Sequence, residues 1–114
     1  MAEWNFDKRD IEFALFDQFK LEETTKLPRY EWCDRATYEM TLDSAFKLAS
    51  EQLAPVNNIT DRKGVKLENG EVTLPVEFES VYKQFIEGGW LSVARNPEYG
   101  GMGMPHALSI AVME

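Results

Sequence analysis

The amino-acid sequence predicts an all-α fold that contains one small β-hairpin. Apolar side chains recur with the 3.6-residue period of a helix over three stretches, at about 7–19, 36–53 and 75–87. Proline and glycine stand at the borders of these stretches, where helices commonly begin and end. Between the second and third stretches, Asn69-Gly70 separates two short apolar runs, which is typical of a two-residue hairpin turn.

The first stretch, Asp7 to Phe19, is apolar around much of its circumference. Ile11, Leu15 and Phe19 follow one row at i, i+4 spacing, and Phe13 and Phe16 widen it. A helix of this kind is buried on more than one side. We therefore predict that it docks on a neighbouring domain or subunit, and that the chain turns away after it, with a break at Pro28.

The second stretch predicts a helix from about Ala36 to Leu53 with one solvated side. Its apolar stripe is Tyr38, Leu42, Ala45, Phe46, Ala49 and Leu53. Pro55 disfavours helical geometry in the residue before it, so we expect it to help end this helix. Turns are predicted at Asn57-Asn58 and at residues 61–64. We expect the hairpin that follows to lean on the helices, because an isolated two-stranded hairpin is marginal in water.

The third stretch is bounded by Pro75, which can begin a helix, and by Gly88 or Gly89, which can end one. Its apolar stripe is Phe78, Val81, Tyr82, Phe85 and Ile86. We expect Trp90 to pack back on this stripe.

A glycine-rich loop then leads to Pro105, which can begin a last helix with Leu108, Ala111 and Val112 on one side. That helix reaches Glu114 without a capping residue, so we expect the chain to be cut within an element.

The composition limits the classes of function. A chain of 114 residues is one domain at most, or part of one. Twelve basic against 20 acidic residues give a net charge of −8, which argues against a nucleic-acid surface and against adsorption on anionic membranes. The sequence shows neither a secretory leader pattern nor an apolar run of the roughly 20 residues that span a bilayer. With Cys33 as its single cysteine, the chain is expected in the cytoplasm.

No group of residues in the sequence specifies catalysis or metal binding. The glycines at 100, 101 and 103 do not have the spacing of a dinucleotide-binding or P-loop motif, and we interpret them as a tight connection between packed helices. His106 is the single histidine and is distant in sequence from Cys33, so a metal site or a catalytic pair lacks supporting residues. We therefore assign no catalytic, cofactor-binding or metal-binding residue.

Several motifs in order resemble the N-terminal helical domain of the acyl-CoA dehydrogenase family. The most specific are Gly88-Gly89-Trp90-Leu91 and the loop from Asn96 to Pro105. The resemblance also covers Leu53-Ala54-Pro55-Val56-Asn57, Asp61-Arg62-Lys63-Gly64, Glu68-Asn69-Gly70-Glu71-Val72, Pro75, Phe78 and Tyr82. Asp10-Ile11-Glu12-Phe13 is similar to the short N-terminal extension of the subgroup that includes 3-methylmercaptopropionyl-CoA dehydrogenases. Nearly the whole chain is covered.

The resemblance implies an oxidoreductase of fatty acid metabolism that uses FAD to desaturate an acyl-CoA thioester. In this family a glutamate removes the α-proton while the β-hydrogen passes as hydride to the flavin. The flavin contacts and the glutamate come mainly from later parts of the family's three-part fold. The chain then divides into residues 1–30, an extension with a docking helix, and residues 31–114, a C-terminally truncated N-terminal helical domain.

Several expectations follow from this resemblance. The full-length protein is expected to bind acyl-CoA and to form a homo-oligomer, whereas these residues alone are expected neither to hold FAD nor to turn over substrate. The alternative is a non-enzymatic helical module that binds a protein partner through its Phe-rich first helix. A small CoA-binding protein is disfavoured, because the sequence lacks a basic cluster for the CoA phosphates.

Overall fold

The structure, a computed structural model, describes residues 6–114 and is mostly helical. Its helices are α1 (Lys8–Glu12), α2 (Arg35–Leu48), α3 (Ala54–Lys63), α4 (Val76–Glu87) and α5 (His106–Met113), and its strands are β1 (Lys66–Glu68) and β2 (Glu71–Thr73). The predicted all-α fold with one hairpin at Asn69-Gly70 is confirmed. Residues 1–5, on which part of the prediction about a leader rests, lie outside the described residues.

Short helical turns of other pitch link these elements. Two are wide π-turns, Phe13–Gln18 and Ala49–Leu53, and each continues directly from an α-helix. The other turns are tighter 3-10 turns: Leu21–Lys26, Pro28–Tyr30, Trp90–Ser92 and Pro97–Tyr99. The connections are therefore themselves largely helical.

The predicted first helix is present as α1 and the π-turn that follows it. Asp7 caps its start, since its carboxylate accepts a hydrogen bond of 3.1 Å from the Arg9 amide. Leu15 and Phe16 are buried, whereas Phe13 and Phe19 remain exposed. One side of this helical segment therefore packs in the described core and another faces outward.

The predicted end of the second helix at Pro55 is wrong, because α3 carries the helical path on to Lys63. Proline is tolerated in the first turn of a helix, where its missing N–H is not needed. The π-turn Ala49–Leu53 shifts the hydrogen-bonding register just before it, so that the Ala54 amide bonds to the carbonyl of Ala49, five residues back. The turn predicted at 57–58 is therefore helix.

The helical path ends at Gly64, within the stretch 61–64 that was predicted as a turn. Gly64 has φ of 66° and ψ of −179°, and its amide bonds to the Thr60 carbonyl at 2.8 Å. Residues 61–63 belong to α3, so only the last position of the predicted turn is correct.

The hairpin has the predicted turn but not the predicted support. Asn69 and Gly70 have φ of 52° and 80°, the positive values that a two-residue hairpin turn requires. Every residue of β1 and β2 is exposed, so the expectation that the strands lean on the helices is wrong. α3 and α4 pack on each other, and neither of them buries a residue of the strands.

The main core lies where α2, α5, the first helical segment and the glycine loop meet. Its buried side chains are Leu15, Phe16, Leu21, Cys33, Tyr38, Leu42, Val93, Met104 and Leu108. The predicted inner side of the last helix is confirmed, since Leu108 is fully buried and Ala111 and Val112 pack beside it. On α4 only Val81 of the predicted stripe is fully buried.

The end of α4 is built from the two glycines and the tryptophan that were predicted there. Gly89 has φ of 72°, the left-handed conformation that ends a helix. Trp90 folds back over Gly88, where an added Cβ would lie 2.5 Å from the indole Nε1. The ring also packs against the main core, so Trp90 has a structural role, and its packing on the α4 stripe stays a prediction.

The glycine loop is a connector whose two arms are joined by backbone hydrogen bonds. The amides of Met102, Gly103 and Met104 donate to the carbonyls of Ser92, Arg95 and Val93, at 3.0, 2.9 and 3.0 Å. Gly101 sits where the arms are closest, and an added Cβ would lie 2.1 Å from the Arg95 carbonyl oxygen. This close approach fixes where α5 begins.

We predict that Gly101→Ala lowers the free energy of unfolding by about 2–3 kcal/mol, because the added methyl group forces the two arms apart. Gly100→Ala is the matched control: Gly100 has φ of 82° but no atom within 4 Å of an added Cβ. It should cost only about 1 kcal/mol of backbone strain. Urea denaturation of both variants measures the difference, and equal losses would contradict the steric role of Gly101.

Candidate functional site

A buried polar cluster lies between the 3-10 turns that follow the first helical segment and the start of α2. Tyr38 and Cys33 are both fully buried. The Tyr38 hydroxyl lies 2.7 Å from the Thr24 hydroxyl and 3.3 Å from the Cys33 sulfur. Asp34 positions Tyr38 by capping α2, as its carboxylate accepts a bond of 2.9 Å from the Thr37 amide.

The direction of the hydrogen bonds in this cluster follows from the backbone. The Thr24 hydroxyl donates to the Leu21 carbonyl at 2.7 Å, which leaves its oxygen to accept from Tyr38. The Cys33 thiol has a single proton, which the Tyr30 carbonyl oxygen and the Tyr38 hydroxyl oxygen share as acceptors, each 3.3 Å from the sulfur. Tyr38 thereby ties the turn Leu21–Lys26 to α2 through Thr24, and Cys33 connects it to the Tyr30 carbonyl of the next turn.

The same environment makes the cluster unsuited to catalysis. Burial raises the pKa of Tyr38 to about 12, the bond with Cys33 adds to the rise, and the bond with Thr24 opposes it. A phenol with so high a pKa does not exchange its proton near neutral pH, where a general acid or base must work. Cys33 is inaccessible to solvent, so its thiol is not presented to a substrate.

Tyr38 was assigned only to the apolar stripe of α2 in the sequence, and its polar role was missed. A buried tyrosine hydroxyl needs a partner, which was the available signal. The partner Thr24 is 14 residues away in sequence, and no local pattern identifies it.

The glycine loop does not offer a cradle for phosphate. A phosphate site needs several backbone N–H groups directed at the ligand. In this loop the amides instead donate to carbonyls of the loop itself. This holds for the amides of Gly100, Gly101, Met102 and Gly103. The prediction that these glycines serve a tight connection therefore agrees with the geometry.

The other residues considered for chemistry are not brought together. His106 is exposed at the start of α5, whereas Cys33 is buried in the core. Across residues 6–114 no group of three or more histidine, cysteine, aspartate or glutamate side chains is placed to hold a metal ion. In the same range no helix is long and apolar enough to cross a membrane.

A depression open to solvent lies at the base of the hairpin, and Lys63, Lys66, Glu68 and Thr73 are among the residues that line it. Beside it Lys63 forms an ion pair with Glu77 that joins α3 to α4. This hydrogen bond from Lys63 is the main cause that lowers the pKa of Glu77. The charges around the depression have both signs, so they select neither an anion nor a cation.

The described residues expose an unusual amount of apolar surface. The radius of gyration is 16.9 Å, against about 13 Å for a compact domain of this length. The dimensions of 54 × 35 × 16 Å describe an elongated, flattened body. Large apolar side chains are exposed on all parts of it, among them Phe13, Phe19, Leu67, Val72, Tyr82, Leu91, Ile110 and Met113. Surface of this extent is typical of a region that packs against other structure.

The sequence comparisons show which proteins this chain is related to. No protein-family model matches the chain. The chain is nevertheless homologous to an enzyme of the acyl-CoA dehydrogenase family, so the resemblance drawn from its motifs is confirmed. That relative is the 3-methylmercaptopropionyl-CoA dehydrogenase of Ruegeria pomeroyi, which is 33% identical over 106 residues, or 93% of this chain. The chain spans only 18% of the length of that relative.

We predict that Tyr38→Phe lowers the free energy of unfolding by about 1–2 kcal/mol, because the Thr24 hydroxyl and the Cys33 thiol lose a buried partner. Thr24 and Cys33 keep their bonds to backbone carbonyls, which limits the loss. Tyr82→Phe is the control, because Tyr82 is 53% exposed. Denaturant titrations should show no change for this control, and an equal effect of both substitutions would contradict the role of Tyr38.

We also predict a loss of stability in alkali that depends on Tyr38. The folded state holds its pKa at about 12, against 10.0 for an ordinary tyrosine. Between these values the unfolded state releases a proton that the folded state keeps, so stability falls as pH rises. The contribution is fully present below about pH 10 and is lost by about pH 12.

The measurement is urea unfolding at about pH 9 and about pH 11, on both sides of the ordinary tyrosine pKa. The stability difference between the native chain and Tyr38→Phe should shrink at the higher pH. A difference that stays constant would show that Tyr38 keeps an ordinary pKa.

Proposed function

We propose that this chain is a helical part of a flavin-dependent acyl-CoA dehydrogenase. Such an enzyme desaturates an acyl-CoA thioester between its α and β carbons and passes hydride to FAD. The observation that carries the proposal is the 33% identity over 106 residues to an enzyme named as an acyl-CoA dehydrogenase. The ordered motifs at Gly88–Trp90 and at the glycine loop lie within a chain that is matched over 93% of its length.

We assign these residues a structural role in that enzyme. In this proposal residues 1–30 form an extension with a docking helix, and residues 31–114 belong to the N-terminal helical domain. Both parts contribute to one core, in which Leu15 and Phe16 meet Tyr38 and Leu108. The catalytic glutamate and the principal FAD contacts would lie outside residues 1–114, and none of the carboxylates here is assigned to that role.

Two features of the structure support a place within a larger protein. The chain is more extended than a compact domain of its length, with a radius of gyration of 16.9 Å against about 13 Å. Its uncovered apolar side chains, such as Tyr82 and Ile110, would be covered by other parts of the enzyme. We further propose that the whole enzyme uses acyl-CoA as its substrate, forms a homo-oligomer and is located in the cytoplasm. The free thiol of Cys33 is compatible with a reducing compartment.

A non-enzymatic interaction module is the second candidate. Phe13 and Phe19 are 53% and 74% exposed on the first helical segment, and such aromatic side chains are frequent anchors at protein interfaces. This reading accounts for the exposed helix. It does not account for the likeness to a dehydrogenase over nearly the whole chain.

The proposal is tested with a chimera in which the matched residues of this chain replace their counterparts in the Ruegeria pomeroyi enzyme. We expect the chimera to purify with the visible absorbance of oxidised flavin and to lose that absorbance when an acyl-CoA substrate is added. The chain by itself should carry no flavin and should oxidise no acyl-CoA.

The chimera that carries Gly101→Ala is the control for a structural role of the glycine loop, and it should hold less flavin. A folded chimera without flavin would contradict the family role. Flavin bound in equal amount by the isolated chain would contradict the assignment of the cofactor site to other residues.

A further inference from the structure

The outer edges of both strands of the hairpin are uncovered by any other described strand. Across its two-residue turn, Glu68 and Glu71 form the closing pair, which exchanges backbone hydrogen bonds. The next pair, Leu67 and Val72, is therefore of the non-hydrogen-bonded kind. The N–H and C=O of Leu67 consequently point away from β2. Within residues 6–114 the sheet consists of β1 and β2 alone, so this edge of β1 faces outward.

The hairpin also lacks cover on its apolar face. Leu67 and Val72 lie opposite each other and are 73% and 69% exposed. A two-stranded hairpin is marginal in water, and three or more strands are usually needed for stability. An unpaired edge beside apolar side chains is a template for pairing with a further strand.

The charges on the other face show which strand fits. Glu68 lies directly opposite Glu71, and like charges in that position destabilise a hairpin. Lys66 and Glu68 flank Leu67 symmetrically. When two β1 strands pair antiparallel about a two-fold axis at Leu67, Lys66 of each strand falls opposite Glu68 of the other. The sequence of β1 is thus complementary to itself.

The edge of β2 does not have this property. If two β2 strands paired antiparallel about a two-fold axis at Val72, Glu71 of each strand would lie opposite Thr73 of the other. That arrangement pairs no opposite charges. The complementarity therefore distinguishes β1 from β2.

We propose that β1 pairs antiparallel with β1 of a second copy of this chain, so that two hairpins form one four-stranded sheet. The two Leu67 residues exchange backbone hydrogen bonds across the two-fold axis. Lys66 and Glu68 face each other in pairs whose Cα atoms lie about 4.5 Å apart, the spacing at which side chains interact most closely. Each Glu68 then has Glu71 on one side and Lys66 of the second copy on the other, which offsets the repulsion within each hairpin.

The contact is small and isologous. Its strands have three residues each, so it lies at the weak end of specific interfaces and depends on protein concentration. The inference does not depend on the enzyme family, because it rests on the register and charges of the hairpin.

The first test is sedimentation over a series of concentrations with the native chain, Lys66→Glu, Glu68→Lys and the double variant. Each single change replaces two attractive pairs with two repulsive ones, and should weaken dimerisation roughly tenfold. The double variant exchanges the charges and keeps them complementary, so it should restore dimerisation. Lys83→Glu is the control of equal charge change on exposed α4, and it should leave dimerisation as in the native chain.

The second test locates the contact. A mixture of nitrogen-15-labelled and unlabelled chains is treated with a zero-length carbodiimide, and we expect a mixed-isotope cross-link between Lys66 and Glu68. A native chain that stays monomeric at all concentrations would overturn the proposal and assign Lys66 to the common role of an edge lysine that prevents pairing. Dimerisation that the single variants do not weaken, or that the double variant does not restore, would show that another apolar surface holds the copies together.

Discussion

The structure depends on how the buried side chain of Tyr38 is satisfied. Its ring lies in the core that joins α2 to α5. Its hydroxyl bonds to Thr24, in a 3-10 turn, and to Cys33, in the segment just before the same helix. A tyrosine can occupy this position only if its hydroxyl finds partners, since a buried polar group without one costs more than the bond itself contributes. Thr24, in the turn Leu21–Lys26, and Cys33, just after the turn Pro28–Tyr30, supply those partners. The path of the chain between the first helical segment and α2 is thus fixed both by these hydrogen bonds and by the burial of Leu21 and Cys33 in the same core.

The second fixed point is the glycine loop, and it shares a core with the first. Val93 and Met104, at the two arms of the loop, are buried with Tyr38, and a backbone hydrogen bond joins them. Because Gly101 permits the arms to approach, Leu108 is brought into the same core at the start of α5. The loop therefore has no chemistry of its own to perform, and its glycines are explained by packing and by backbone geometry.

Much of this fold could be predicted from the sequence, because its local signals agree with its structure. Pro75 and Gly89 bound α4, and Asn69-Gly70 makes the hairpin turn. The errors arose where one local signal competed with another. Pro55 predicts the end of a helix, but the helical path continues through a π-turn just before it. Such a turn has no simple residue pattern, since it is a response of the backbone to the proline and to the packing around it.

The contacts of the site could be predicted less well than the helices. The bond between Tyr38 and Thr24 joins residues 14 positions apart, and helical periodicity gives information only about neighbours on one element. The exposure of the hairpin was missed for a related reason. A two-stranded hairpin is marginally stable and needs further strands or a helix to pack against. The prediction assigned that packing to the helices of the same chain.

The exposed hairpin and the exposed apolar faces of the helices leave one physical question, which is what covers the apolar surface that the described residues leave open. For the faces of the helices, the likeness to a longer dehydrogenase supplies the proposed answer in other parts of that enzyme. For the hairpin, the apolar pair of Leu67 and Val72 would fit many partners, because apolar contact is not directional. The charges of Lys66 and Glu68 are directional and fit a copy of their own strand. Where burial alone does not choose a partner, the arrangement of charge does.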